Sequence, residues 1–284
     1  MNSPKPVLIH SVKEMQTICR NLSQTIGFVP TMGYLHEGHL SLVKAAKDKA
    51  EIVIVSIYVN PTQFSPNEDL SSYPRDPDRD IQLLSELDVD YIFFPSNEEM
   101  YPAGFKTWVA VEEITQILCG KSRSTHFKGV TTIVAKLMNI IDPDFMLLGE
   151  KDFQQLKVLQ QMGKDLNFST EIIGCPLIRE KDGLAMSSRN KYLSPQERKD
   201  ALCLHNSLLL AQKLFSEGMT ASSKIIAAMR DLIVQNKGRI DYIEVIDTDS
   251  LESLDELRSG CRIVLAVYIG KTRLIDNVMI KYYQ

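Results

Sequence analysis

Two histidines three residues apart, His36 and His39, stand in the segment Pro30-Thr31-Met32-Gly33-Tyr34-Leu35-His36-Glu37-Gly38-His39. Where a chain leaves a buried strand and enters a helix, several main-chain N–H groups and the positive end of the helix dipole point at one spot, which favours phosphate. Gly33 and Gly38 permit close backbone approach, and the three-residue spacing lets both imidazoles face the same phosphates. As imidazolium they would offset charge developing on a transferring phosphoryl group. A histidine pair is also common on surfaces and in packing, so the chemistry depends on what positions it. The segment is neither G-x-G-x-x-G nor G-x-x-x-x-G-K-[ST], and His36-Glu37-Gly38-His39 is one residue short of the H-E-x-x-H of zinc proteases. Gly120-Lys121-Ser122 ends like a P-loop, but Thr115 stands where its first glycine belongs.

Three further segments carry suitable side chains. Val59-Asn60-Pro61-Thr62-Gln63-Phe64 presents neutral amides that donate and accept without charge, suited to hydroxyl groups; it reads equally as an Asn-Pro turn. In Leu148-Gly149-Glu150-Lys151-Asp152-Phe153-Gln154-Gln155, Lys151 sits against the dipole of a starting helix, a cost that a bound anion would offset. Asp152 there also reads as an ordinary N-cap. Met186-Ser187-Ser188-Arg189-Asn190 offers two hydroxyls and a guanidinium, which fit a triphosphate but are also ordinary loop composition.

The elements that must position these segments follow from hydrophobic pattern. Short apolar runs at 26–30, 52–59, 90–94, 144–148 and 170–174 read as buried parallel strands. Helical periodicity fills 39–50, 77–87, 130–141 and 152–166. That alternation predicts an α/β protein with a doubly wound, Rossmann-like parallel sheet over 1–176. Such sheets bind ligands beyond the carboxyl ends of their strands, where three of the four segments fall. From 177 to 284 a smaller α+β domain is expected. It starts with a polar loop at 179–190 that could close as a lid. Ser194-Pro195 opens a helix to about Glu217, another spans 220–235, and strands follow at 240–246, 262–269 and 274–280.

Composition narrows the class. At 284 residues, length alone favours about two domains. The chain is 44% hydrophobic and 24% charged, with a mean hydropathy of −0.10, values of a soluble globular protein. A net charge of −4 gives no electrostatic reason for a nucleic acid or an anionic membrane as partner. No apolar run reaches a membrane span, and the N-terminus lacks a signal-peptide core. Five scattered cysteines without C-x-x-C read as reduced thiols in a cytoplasmic protein.

In order, PTMGYLHEGH, VNPTQF, YPRD, THFKGV, LGEKDFQQL and DGLAMSSRNKYLS resemble the pantoate–β-alanine ligase (pantothenate synthetase) family. The resemblance runs from about Gly27 to Ser194, with a weaker match at Arg273-Leu274-Ile275-Asp276-Asn277. That family belongs to the HIGH-motif nucleotidyl transferases, alongside class I aminoacyl-tRNA synthetases. The resemblance implies condensation of pantoate with β-alanine through a pantoyl adenylate, with ATP cleaved to AMP and pyrophosphate. It implies ATP contacts from Met32, Gly33, Tyr34, Leu35, His36, Glu37, Gly38 and His39, from Gly149, Glu150, Lys151 and Asp152, from Ile178, and from Met186, Ser187, Ser188 and Arg189. His39 would be the proton donor, with His36, Lys151 and Arg189 assisting catalysis. Gln63 and Gln155 would hold pantoate, with Gln63 also beside β-alanine, and Asn60 and Arg123 would join the substrate site. Mg²⁺ would arrive with ATP, with no protein ligand assigned, and a homodimer is the family expectation. The chain reads Arg123-Ser124-Thr125-His126-Phe127 where the family reads R-P-G-H-F. The rival readings are a nucleotidyltransferase of the same superfamily and a synthetase-like nucleic-acid binder, and the negative charge counts against the second.

Overall fold

The computed structural model describes residues 5–66 and 68–281. In chain order the first elements are β1 (Val7–Ile9), α1 (Val12–Asn21), β2 (Ile26–Thr31), α2 (Glu37–Lys47) and β3 (Ile52–Ile57). A 3₁₀ turn at Pro61–Gln63 precedes α3 (Pro77–Glu86), β4 (Tyr91–Phe93), and the short helices α4 (Asn97–Met100) and α5 (Cys119–Ser122). Then come α6 (His126–Ile141), β5 (Phe145–Gly149), a 3₁₀ turn at Glu150–Asp152, α7 (Phe153–Asp165) and β6 (Glu171–Cys175). After a 3₁₀ turn at Ser188–Tyr192 follow α8 (Pro195–Asp200), α9 (Leu202–Ser216), α10 (Ser222–Gln235), β7 (Arg239–Ile246), β8 (Arg262–Ile269) and β9 (Thr272–Met279).

The chain divides into two compact units. The first runs to Gln116 and adds Arg123–Glu150 and Gln155–Pro176; the second combines Ile117–Ser122, Lys151–Gln154 and everything from Leu177 on. The first unit holds a six-stranded parallel sheet in the order β1-β4-β3-β2-β5-β6. Strands β2 (IGFVPT) and β3 (IVIVSI) are buried along almost their whole length, which is why they are continuously apolar: helices cover both faces of a parallel sheet. Helix α2 packs over β2, β3 and β5, and α1 packs with α6. The sheet grows one way from β2 through β3 and β4, and the other way through β5 and β6. The switch point of the α/β sheet is therefore between β2 and β5, at whose carboxyl ends Met32–His39 and Gly149–Glu150 follow. The second unit is a three-stranded antiparallel sheet, β7-β8-β9, whose Ile263, Leu265 and Val267 share a core with Leu204, Leu208 and Phe215 of α9 and Ile225, Met229 and Ile233 of α10.

The architecture is the expected α/β class, with several local differences. A sixth strand and a first helix, β1 and α1, precede the run at 26–30. Strand β1 is only three residues long at the sheet's edge, with Val7 50% exposed, so it carries no buried apolar signal. Helix α6 starts at His126, four residues before the expected 130, because polar His126 and Lys128 mask a turn whose Phe127 is buried. The expected helix from Ser194 breaks at Ala201 into α8 and α9. The segment 179–190 is not structureless: Arg179 and Ala185 form an antiparallel bridge, and Ser188 opens a 3₁₀ turn. The last hairpin turns on Gly270 and Lys271, with Gly270 at φ +56°.

Candidate active site

At the end of β2, the Thr31 hydroxyl donates to the Ser56 carbonyl (2.8 Å) and accepts from Gly33 N–H (3.2 Å). The chain then turns sharply through Gly33 (φ +79°) and Tyr34 (φ +50°). The turn is buttressed by Asp80 of α3, 1% exposed, whose carboxylate accepts Tyr34 N–H at 2.6 Å and Leu35 N–H at 2.8 Å. A Cβ on Gly33 would come within 3.0 Å of Asp80 Oδ2, so the positive φ and the close approach both call for glycine. Burial pushes the Asp80 carboxyl above its ordinary value, opposed by those two N–H bonds. Sequence reading passed over Asp80; the available signal was a carboxylate four residues before Leu84, on the buried side of α3.

His36 is the N-cap of α2 and His39 its third residue, and the two close a reciprocal capping box. His36 Nδ1 accepts Gly38 N–H (3.1 Å), and His39 Nδ1 accepts His36 N–H (3.4 Å). The rings lie 4.1 Å apart between centroids, tilted by 34°. With Nδ1 of each ring engaged by a main-chain N–H, Nε2 is the ring nitrogen that remains to meet a ligand at the head of α2.

Beyond β3, Gln63 is held on every side. Its side-chain Oε1 accepts from Asn60 Nδ2 (3.2 Å) and its Nε2 donates to Met32 Sδ (2.8 Å). Its main-chain carbonyl faces His126 Nδ1 (2.9 Å) and accepts from Arg123 (3.3 Å). Asn60, 1% exposed, also donates to the Gly129 carbonyl (3.1 Å) and accepts from the hydroxyls of Thr62 (2.9 Å) and Tyr101 (3.0 Å). Arg123 forms a two-pronged pair with Glu68 at 2.6 and 2.7 Å. Burial alone would raise the Glu68 carboxyl, but the Arg123 hydrogen bond and charge hold it below the usual range. Asn60 and Arg123 therefore hold the loop that presents Gln63. Gly129 was overlooked: a Cβ there would meet the Thr62 carbonyl oxygen at 2.3 Å, so the motif THFKGV needs glycine where α6 passes under the 61–63 turn. Neither Ser124 nor Thr125 adopts positive φ, so the backbone accepts this chain's replacement of P-G.

A cavity of about 300 Å³ lies beside the Met32–Tyr34 turn, with Tyr58, Arg75 and Asn97 in its wall. At the end of β5, a Cβ on Gly149 would meet nothing within 4 Å among the described residues, so the space over this turn is open. Gln155 lies on α7, half-buried, in the same unit as Gln63.

Lys151, Asp152, Ile178 and Met186–Arg189 belong to the second unit. Lys151 Nζ lies 3.5 Å from Asp152 Oδ2, a local countercharge that offsets part of the cost of a lysine at a helix start. The Ile178 carbonyl accepts Met186 N–H (3.0 Å), and Ser187 caps the 188–192 turn by accepting Arg189 N–H (3.3 Å). Asn190 donates to Glu180 (2.7 Å) and to the Ala185 carbonyl (3.1 Å). Among the described residues, no group of three or more His, Cys, Asp or Glu could hold a metal ion, and no helix is long and apolar enough to cross a membrane. The five cysteines are free thiols, four of them buried.

The switch point, the capped histidine turn and the clamped amide define an α/β protein with a ligand crevice at the carboxyl ends of a parallel sheet. The family model for pantoate-beta-alanine ligase matches residues 7–279. The pantothenate synthetase of Caldicellulosiruptor bescii is 52% identical over 97% of this chain and 99% of its own. That of Sulfurihydrogenibium is 53% identical over 93% and 96%. The crystal structure of the Thermus thermophilus pantothenate synthetase superposes with a TM-score of 0.93 at 41% identity, covering 97% of this chain and 99% of the other. A Francisella tularensis pantoate-beta-alanine ligase, solved in complex with beta-gamma ATP and beta-alanine, gives 0.83 at 40% identity over 96% and 97%. The chain belongs to the pantoate-beta-alanine ligase family.

Proposed function

We propose that this chain joins pantoate to β-alanine by way of a pantoyl adenylate, releasing AMP and pyrophosphate. The observation that carries the reading is the pairing of a doubly capped histidine turn after β2 with a rigidly held Gln63 after β3. The first is suited to phosphate and the second to a hydroxyl-bearing acid. A relative bound to beta-gamma ATP and beta-alanine supports the same substrates here.

A free carboxylate resists an amine because its carbon is shielded by charge and oxide is a poor leaving group. Attack of the pantoate carboxylate on the α-phosphorus expels pyrophosphate and leaves a mixed anhydride. The β-alanine amine then displaces AMP at the acyl carbon. Positioning and charge stabilisation supply the acceleration. His39, with His36 beside it, offers Nε2–H to the α-phosphate and serves as the proton donor. Met32–Gly38, Gly149, Glu150, Asp152, Ile178 and Met186 line the nucleotide. Lys151, Ser187, Ser188 and Arg189 hold the β- and γ-phosphates, with Mg²⁺ carried in as part of the substrate. Gln63 and Gln155 bind pantoate. The 179–190 segment acts as a lid that keeps water from the adenylate. The working form is a cytoplasmic homodimer that binds no nucleic acid, in line with the family and the charge.

Product analysis tests the reading. Protein mixed with Mg-ATP, pantoate and β-alanine should yield pantothenate, AMP and pyrophosphate in equal amounts. A product that retains the nucleotide would instead indicate a nucleotidyltransferase.

A further inference from the structure

The Arg273-Leu274-Ile275-Asp276-Asn277 stretch has no part in the reaction as described above, yet its last two residues are buried and polar: Asp276 is 2% exposed and Asn277 5%. Such groups persist in a protein interior only when their polar atoms are paired. Asp276 is gripped in a two-pronged pair by Arg179, Nη1 to Oδ2 at 2.6 Å and Nη2 to Oδ1 at 2.9 Å. Its Oδ1 also accepts the Asn277 N–H at 2.7 Å. Arg179 donates onward to the Gly183 carbonyl (3.0 Å) and bridges to Ala185, so Asp276 anchors the backbone that leads into Met186–Arg189.

Asn277 reaches the other phosphate-facing segment. Its Oδ1 accepts from Arg262, which sets the orientation of the amide, and its Nδ2 then donates to the Lys151 carbonyl at 3.0 Å. The Arg262 guanidinium also lies over the Phe153 ring, 3.9 Å from its centroid, two residues beyond Lys151. Adjacent residues of one strand thus tie down two segments that are far apart in sequence, all within the second compact unit.

We propose that Asp276 and Asn277 are positioning residues for adenylation: they set the spacing between Lys151 and Ser187-Ser188-Arg189, and with it the seat of the leaving pyrophosphate. The proposal rests on the reading that those residues hold the β- and γ-phosphates. A residue that only filled the core would disturb stability and every substrate alike. A positioning residue disturbs the ATP-dependent step and acts through Lys151.

The test uses the full chain with Lys151→Ala, Asn277→Asp and the double variant. Pyrophosphate–ATP exchange is measured with pantoate present, along with KM for ATP and for pantoate. Asn277→Asp keeps the acceptor for Arg262 but turns an oxygen toward the Lys151 carbonyl. Exchange should fall roughly 10- to 100-fold, the scale of a misplaced reacting group, with KM for ATP raised and KM for pantoate unchanged. Added to Lys151→Ala, Asn277→Asp should lower exchange by less than about twofold, because the group it positions is gone. Arg179→Lys keeps the charge beside Asp276 but loses the fork; it should show the same KM split and keeps the test open if Asn277→Asp folds poorly. Full additivity in the double variant, or an equal loss for pantoate, overturns the proposal. Unchanged exchange in Lys151→Ala overturns instead the phosphate assignment on which it rests.

Discussion

The two phosphate-suited regions are built in opposite ways. The helix start at 36–39 is closed by its own neighbours: His36 bonds two residues on, and His39 bonds three residues back. The region around Lys151 and 186–190 is held from a distance, by Asp276 on Arg179 and by Asn277 on the Lys151 carbonyl, 126 residues away in sequence. A local cap keeps its geometry as long as the helix stands. A hydrogen-bonded network built around one ion pair and a buried amide shares its energy among its members, so removing one leaves the others unsatisfied. The first design suits a fixed donor array, and the second suits a segment whose placement can be tuned from elsewhere in its unit.

The comparison is broken most severely at His39. His39→Ala removes both the Nε2–H donor and half of the capping box. Adenylate formation in a single turnover should fall by roughly 10²–10⁴-fold, while loss of the cap alone costs only about 1 kcal/mol of stability. A rate within threefold of the parent, with the fold intact, would show that the turn is a cap and nothing more.

Next comes Gly129→Ala, which probes the frame around Gln63 without touching a polar group. The new Cβ would overlap the Thr62 carbonyl oxygen, so strain of about 1–3 kcal/mol is expected, a lowering of Tm by several degrees. Gln63→Ala keeps that frame and removes only the amide. It should raise the KM for pantoate by about 1–3 kcal/mol in free-energy terms and leave ATP binding unchanged in calorimetry. A shift in ATP affinity with unchanged use of pantoate would reverse the assignment of the two strand ends.

Asp80→Asn probes the long-range tie that the first region also has, from α3 to the main chain of Tyr34 and Leu35. One acceptor facing Tyr34 or Leu35 N–H becomes a donor, at a cost of about 1–3 kcal/mol, offset in part because a neutral amide is easier to bury. Urea denaturation reads the balance, and a large gain in stability would mean that burial outweighs the two hydrogen bonds. The smallest effect is expected from Glu68→Gln. The folded chain holds the Glu68 carboxyl below its unfolded value, so the Arg123 pair contributes stability at neutral pH that is lost as pH falls through the lowered folded pKa. The variant should be slightly less stable near pH 7, and its acid unfolding limb should be shallower. Parallel curves for the two proteins would argue against the pair.

What could be read from sequence follows the same division. The strands at 26–30 and 52–59 announced themselves as unbroken apolar runs, since both faces of a central parallel strand are covered. The strand-to-helix turn after β2 was legible, but the reciprocal cap that His36 and His39 make there was not. Asp80, Gly129 and the Asp276–Asn277 clamp were not, because each acts on a partner tens of residues or more away, and no periodicity encodes that pairing. The use of Nδ1 of both histidines in the cap was also out of reach: spacing brings the rings together, but it does not say which ring nitrogen meets the main chain.

The central claim is that the carboxylate reacts with ATP before the amine is needed. Exchange of labelled pyrophosphate into ATP, with pantoate present and β-alanine withheld, tests it most directly. A sequential adenylate route predicts exchange that vanishes without pantoate, with ¹⁸O from the pantoate carboxylate appearing in AMP once β-alanine is added. Exchange that strictly requires β-alanine, or ¹⁸O found in pyrophosphate, would contradict it.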